Sequence, residues 1–205
     1  MKTKLSTLII LGLAFLFSAC QVAEEPRVYE AVEYTGAEYL ANYRTPDAMF
    51  LVSYFDVATE KKTGFIVDNA GNLKTLESIS YSVSADNGTI HPAALQNMIN
   101  HGKQVAEVDL DILVEQFKKI RLASRARTLD GTSNPSASQN VEFYGFTLGV
   151  PGYNGGGNCQ GAPSSSEYFS QFMLKSEGQT AKFLNSGNAT ELVNWLKSLH
   201  EQSVK

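Results

Sequence analysis

The sequence predicts an α+β domain: a largely antiparallel sheet of about five to six strands, with two central helices and a C-terminal helix packed on one face. Short runs rich in aromatic and β-compatible residues fall at 48–57 (AMFLVSYFDV), 63–78 (TGFIVDNAGNLKTLES), 141–150 (VEFYGFTLGV), 167–177 (EYFSQFMLKSE) and 180–185 (TAKFLN). Several links between them are too short for parallel crossovers, which need roughly a dozen residues or more. The helical patterns group together instead of alternating with strands, which separates α+β from α/β.

The chain opens with Lys2 and Lys4, continues through the apolar run LSTLIILGLAFLF and ends this segment on Ser18-Ala19-Cys20. A positive start, a short apolar stretch and small residues at the cut form a secretory leader. The run is too short for a comfortable span, which takes about 20 apolar residues, and it has no polar face to make it an amphipathic core helix.

Small residues directly followed by cysteine resemble the lipobox of bacterial lipoprotein precursors, with Phe17 where Leu is commonest. The resemblance covers residues 1–20 and implies a signal peptide over 1–19. It also implies a diacylglyceryl group on the Cys20 thiol and an acyl chain on its amine. Stable anchoring takes more than one chain, each buried methylene contributing about 0.8 kcal/mol. The Gln-Val-Ala-Glu-Glu-Pro that follows is similar to the export signal of surface-displayed lipoproteins of Bacteroidota; a merely solvated acidic tether is the other reading. The implied address is the cell envelope, with the outer membrane as attachment point and its face left open.

Cleavage before Cys20 removes 19 residues and two lysines, leaving 186 residues with a net charge of −6. That length supports a single core. An acidic chain without a basic cluster gives no footprint for nucleic acid. Lipidation consumes Cys20, so Cys159 stands alone and no internal disulfide is expected.

Residues 20–46 read as the lipidated cysteine and an acidic tether that partly docks on the domain. Tyr29, Tyr34, Tyr39 and Tyr43 recur every four to five residues, but Gly36 and Pro46 break the helical stripe. A packing surface outweighs an aromatic ligand stripe there. The globular domain is assigned to 47–205.

Within it, the run at 48–57 is a strand. The 63–78 segment is a hairpin around Asp68-Asn69-Ala70-Gly71-Asn72, where Gly71 can take positive φ. Asp68 and Asn72 hint at a calcium loop, but Ala70 and Leu73 stand where an oxygen ligand and glycine belong. HPAALQNMINHG (91–102) has Pro92 in its first turn, an apolar face of Leu95, Met98 and Ile99, and Gly102 as a stop. DLDILVEQFKKIRLASR (109–125) opens on Asp109 as N-cap and buries Leu110, Leu113, Val114, Phe117 and Ile120. Its terminal Lys118, Lys119, Arg121 and Arg125 suit the helix dipole, which explains them without an anion ligand. Residues 128–140 read as a polar loop. The closing helix, 186–202, carries an Asn188–Glu191 capping box and a core face of Leu192, Trp195, Leu196 and Leu199.

Little in this chain predicts chemistry. His91, His101 and His200 sit at helix ends and lack the spacing of a zinc helix. The loop GVPGYNGGGNCQGAPSSS (149–166) is the unusual stretch. It lacks the Gly-Lys-Ser/Thr of a P-loop and leads into a strand. Cys159 matches no cysteine-protease signature, and no Gly-x-Ser-x-Gly occurs. Its length points to a binding loop formed by Tyr153, Asn154, Asn158, Cys159 and Gln160, or to a plain connection.

The hairpin, terminal helix and acidic tether look like small lipoproteins of Bacteroidota, a resemblance that implies an address and no activity. The expectation is a non-enzymatic, lipid-anchored binding or envelope-support domain without metal or cofactor. Its partners are the membrane, through Cys20, and an envelope protein or glycan. A Cys159-dependent hydrolase and an inhibitor or immunity-type lipoprotein are the alternatives.

Overall fold

The computed structural model describes residues 33–79, 88–148 and 169–203. The chain divides into the units Met1–Glu33 and Tyr34–Lys205, and the second carries the fold.

Thirteen elements follow one another. Helix α1 (Gly36–Asn42) leads into strands β1 (Ala48–Asp56), β2 (Lys62–Asp68), β3 (Asn72–Leu76) and β4 (Gly88–Ile90). Helix α2 (Pro92–His101), strand β5 (Lys103–Glu107) and helix α3 (Leu110–Ala123) come next. Then β6 (Thr128–Asp130), β7 (Gln139–Leu148), β8 (Phe169–Glu177), β9 (Lys182–Leu184) and helix α4 (Gly187–Ser203) complete the chain. Every described strand pair is antiparallel, in the order β5-β3-β2-β1-β7-β8-β9-β6, with β4 beside β8.

The α+β class holds, with nine strands instead of five or six. The additional three are β4, β5 and β6. Two are only three residues long, too short for a periodicity to show, and β5 (KQVAE) is a largely exposed edge whose charged residues conceal its strand character.

The expected one-sided helix layer is corrected. α3 and α4 share one face, where Leu113, Ile120, Leu192 and Leu196 meet Phe50, Val52, Phe65, Val67 and Phe143. α2 lies on the other face, where Leu95, Met98 and Ile99 meet Leu51, Ile66, Tyr144 and Phe146. The reason is visible in the central strands. Phe50-Leu51-Val52 and Phe65-Ile66-Val67 are apolar on both faces, so each face needs cover.

Bulges adjust these faces. Ala48 pairs with Asp68 and Phe50 with Val67, leaving Met49 as the extra residue. Met49 and Phe50 thus enter the same core. In the β2–β3 hairpin Gly71 takes φ +86°, as a tight turn requires. The Asp68 carboxylate accepts from the backbone of Ala70 and Asn72 and from the Asn72 amide. Those bonds occupy the carboxylate, so it is a turn clamp.

α4 begins at Gly187, two residues before the start that an Asn188 cap would give. The Ser186 carbonyl accepts from the Thr190 N–H, Asn188 is already helical, and Glu191 pairs with Lys119 of α3 at 3.0 Å. The Asn188–Glu191 capping box gives way to this bridge between helices. Trp195 meets Phe50 edge-on at 4.9 Å, but it is half-buried at the flank of the core and not at its centre.

Among the described residues no helix is long and apolar enough to cross a membrane.

Candidate functional site

Helix α4 and the β8–β9 pair enclose a cleft of about 240 Å³ lined by Leu174, Phe183, Leu184, Ala189 and Val193, with Lys175 and Asn194 at its rim. A second hollow of about 380 Å³ adjoins it through Lys175 and Phe183, with Asn134, Ser176, Glu177 and Lys182 among its lining residues.

A bulge builds the apolar part. Phe143 pairs with Lys175 and Tyr144 with Met173, so Leu174 is the extra residue of β8. Strict alternation would send Leu174 and Lys175 to opposite faces. With the bulge, both line the cleft under α4. An apolar floor and a cation therefore stand side by side.

The rim is charged. Glu177 Oε1 lies 2.7 Å from Lys175 Nζ and 2.8 Å from Lys197 Nζ. Burial pushes the Glu177 carboxyl up, but the hydrogen bonds and charges of the two lysines outweigh it and hold the group below the ordinary carboxylate value. Lys197 also stands 5.6 Å above the Phe143 ring. The charged residues that line the two hollows are Lys175, Lys182 and Glu177.

The wall of the second hollow is tied to the sheet by backbone bonds. The Asn134 N–H donates to the Gly178 carbonyl, and the Gly131 N–H to the Ala181 carbonyl. Gly178 takes φ +122°, and a Cβ there would strike the Asn140 side chain. The Asn140 side-chain oxygen in turn accepts from the Gln179 N–H at 2.7 Å.

A different surface gathers three of the tyrosines noted in the sequence. Tyr39 stacks on Tyr43 at 4.6 Å, and Tyr34 meets Tyr43 edge-on at 5.8 Å. Lys118 of α3 lies 4.8 Å over the Tyr39 ring. Burial, then Tyr43, pushes the Tyr39 phenol up against the opposing pull of Arg121. Gly36, which reads as an interruption in the sequence, is instead the first residue of α1. Thr35 caps it and forms a reciprocal box with Glu38.

The three histidines remain apart in role. His91 caps α2, its Nδ1 accepting from the Ala93 N–H at 3.1 Å. His101 Nδ1 lies 2.8 Å from the Asn97 carbonyl oxygen. His200 packs against Tyr54 and Phe65, with ring centroids 4.8 and 6.2 Å away. Among the described residues no three of His, Cys, Asp or Glu are grouped to hold a metal.

Tyr153, Asn154, Asn158, Cys159 and Gln160, the loop singled out in the sequence, lie outside the described residues, as does Cys20. The cleft is what sequence reasoning missed. Its one readable signal is Lys175-Ser176-Glu177, whose period-2 spacing puts the two charges on one side of a strand. No protein-family model, no curated protein and no solved structure matches the chain.

Proposed function

We propose that this protein is a lipid-anchored binding protein of the bacterial envelope, held to a membrane through Cys20. It takes an amphipathic, negatively charged ligand into the cleft around Lys175 and Phe183. The bulge at Leu174 carries this reading, because it joins an apolar floor to a cationic rim in one concave site. The apolar part of a ligand covers Leu174, Phe183 and Val193, while its acidic group competes with Glu177 for Lys175 and Lys197. The leader ending in Ser-Ala-Cys and the acidic stretch after it support the anchored address. An envelope protein segment or a glycan bearing a lipid and an acid meets the same chemistry.

Two experiments test the proposal separately. Labelling cells with a palmitate analogue reports the anchor, and equal label in wild type and Cys20→Ala would remove it. Native mass spectrometry of the full processed chain, extracted from membranes, reports the cleft. A bound envelope molecule in wild type that is lost in Lys175→Glu is expected. Identical spectra for the two proteins would discard the cleft as the site.

A further inference from the structure

We infer that the face formed by α1 and the C-terminal half of α3 is a membrane-docking surface, which seats the domain on the anionic phospholipid bilayer that holds its own lipid. The inference presupposes the lipid on Cys20 and adds to that anchor a second contact made by the folded domain.

Three observations carry it. The first is chemical. Tyr34 and Tyr43 are 38% and 46% exposed, and Leu122 of α3 is 53% exposed, so apolar and phenolic surface is presented to the outside. Tyrosines belong at bilayer interfaces, where the ring sits in the headgroup layer and the hydroxyl meets water.

The second is charge. Lys118 lies against Tyr39, Arg121 acts on the same phenol, and Leu122 follows Lys118 by one turn. Arg125 is one turn beyond Arg121, and Arg44 follows Tyr43 in the chain. All four cations are exposed. Glu38 accepts the Thr35 N–H and hydroxyl and Asp111 the Gly36 N–H, so both acids are held at the start of α1. The four cations stand at the surface alongside these acids and the exposed Glu33, in a chain that is acidic as a whole. Each basic side chain near an anionic surface contributes about a fivefold gain in binding.

The third is chain length. Tyr34 follows Cys20 by fourteen residues, and a fourteen-residue segment reaches at most about 50 Å when fully extended. The tyrosine surface is thus at the root of the tether, the part of the domain that a lipid on Cys20 restrains most tightly. A soluble anionic polysaccharide offers charge without an apolar layer for Tyr34, Tyr43 and Leu122, which favours the bilayer.

The test is hydrogen exchange on the full processed chain, reconstituted with excess vesicles. Phosphatidylcholine vesicles are compared with vesicles containing phosphatidylglycerol. Slower exchange at residues 34–44 and 118–125 on the anionic vesicles alone is the expected result. The charge variant Lys118→Gln with Arg121→Gln, which leaves the tyrosines in place, should lower the docked-to-undocked ratio roughly thirtyfold. The variant Tyr34→Ser with Tyr43→Ser should lose the protection while its denaturant midpoint shows it still folded. Equal exchange on both kinds of vesicle overturns the inference. So does equal protection by a soluble polyuronate, which would assign the face to a glycan. Mass spectrometry of the Cys20 peptide reports the anchor independently. An unacylated Cys20 refutes the anchored reading, and exchange with excess vesicles still judges the surface.

Discussion

Gly36 donates its backbone N–H to the carboxylate of Asp111, and its missing side chain is what lets α1 begin against the first turn of α3. A Cβ at this position would run into the backbone of Leu110 and Asp111. Asp111 thus serves two helices, standing in the first turn of α3 and closing the start of α1.

Gly36→Ala is therefore expected to push α1 off the domain. Overpacking of this kind costs roughly 1–3 kcal/mol, and the urea midpoint of the full chain should fall accordingly. A midpoint equal to wild type would show that α1 is not docked.

Trp195→Ala should cost about 2–3 kcal/mol, less than the loss of a fully buried aromatic. The ring lies edge-on against the buried Phe50 while keeping one side at the surface. Chemical unfolding followed by circular dichroism gives the value; a loss above that of a large core residue would place Trp195 deeper than it is.

The Lys175–Glu177–Lys197 group predicts a pH dependence. The folded-state value of Glu177 is depressed, so its contribution is full above the ordinary glutamate value of 4.5 and fades as pH falls through the folded value. Glu177→Gln should lie below wild type in stability at pH 6, with the difference closing on acidification. Partial exposure and salt keep the effect small. A gap that persists at pH 2 would assign it to packing and not to charge.

Tyr54 is expected to titrate late. Burial pushes its phenol up to about 12, so the folded chain holds this proton where an unfolded chain gives it up. Stability should therefore decline as pH rises from about 10 towards 12. Absorbance titration of wild type against Tyr54→Phe isolates the group. A Tyr54 component ionising near 10 would mean that water reaches the hydroxyl.

Much of the scaffold was legible because it depends on local pattern. The hairpin around Gly71, the Asp109 cap and the stripes of α2, α3 and α4 follow from neighbouring residues alone. The second face was harder to read. Phe50-Leu51-Val52 looks like any apolar strand until both layers above and below it are known. The cleft depends on a one-residue bulge at Leu174 and on Lys197, which comes twenty residues after Glu177, and no local rule encodes either. The tyrosines were visible as a spacing. Their gathering was hidden because Gly36 interrupts a helix in the abstract but starts one when it has α3 to press against.

The position of β1 has a consequence in time. Leu51 pairs with Ile66 on one side, fifteen residues away, and with Tyr144 on the other, ninety-three residues away. The sheet's central strand stays half-edged until nearly three-quarters of the chain has been made. Such distant pairing makes folding slow, in the range of milliseconds to seconds for sheets of this kind. The β1–β2 hairpin is complete in the chain early, while the pair that closes the other edge of β1 has to wait for residues 139–148.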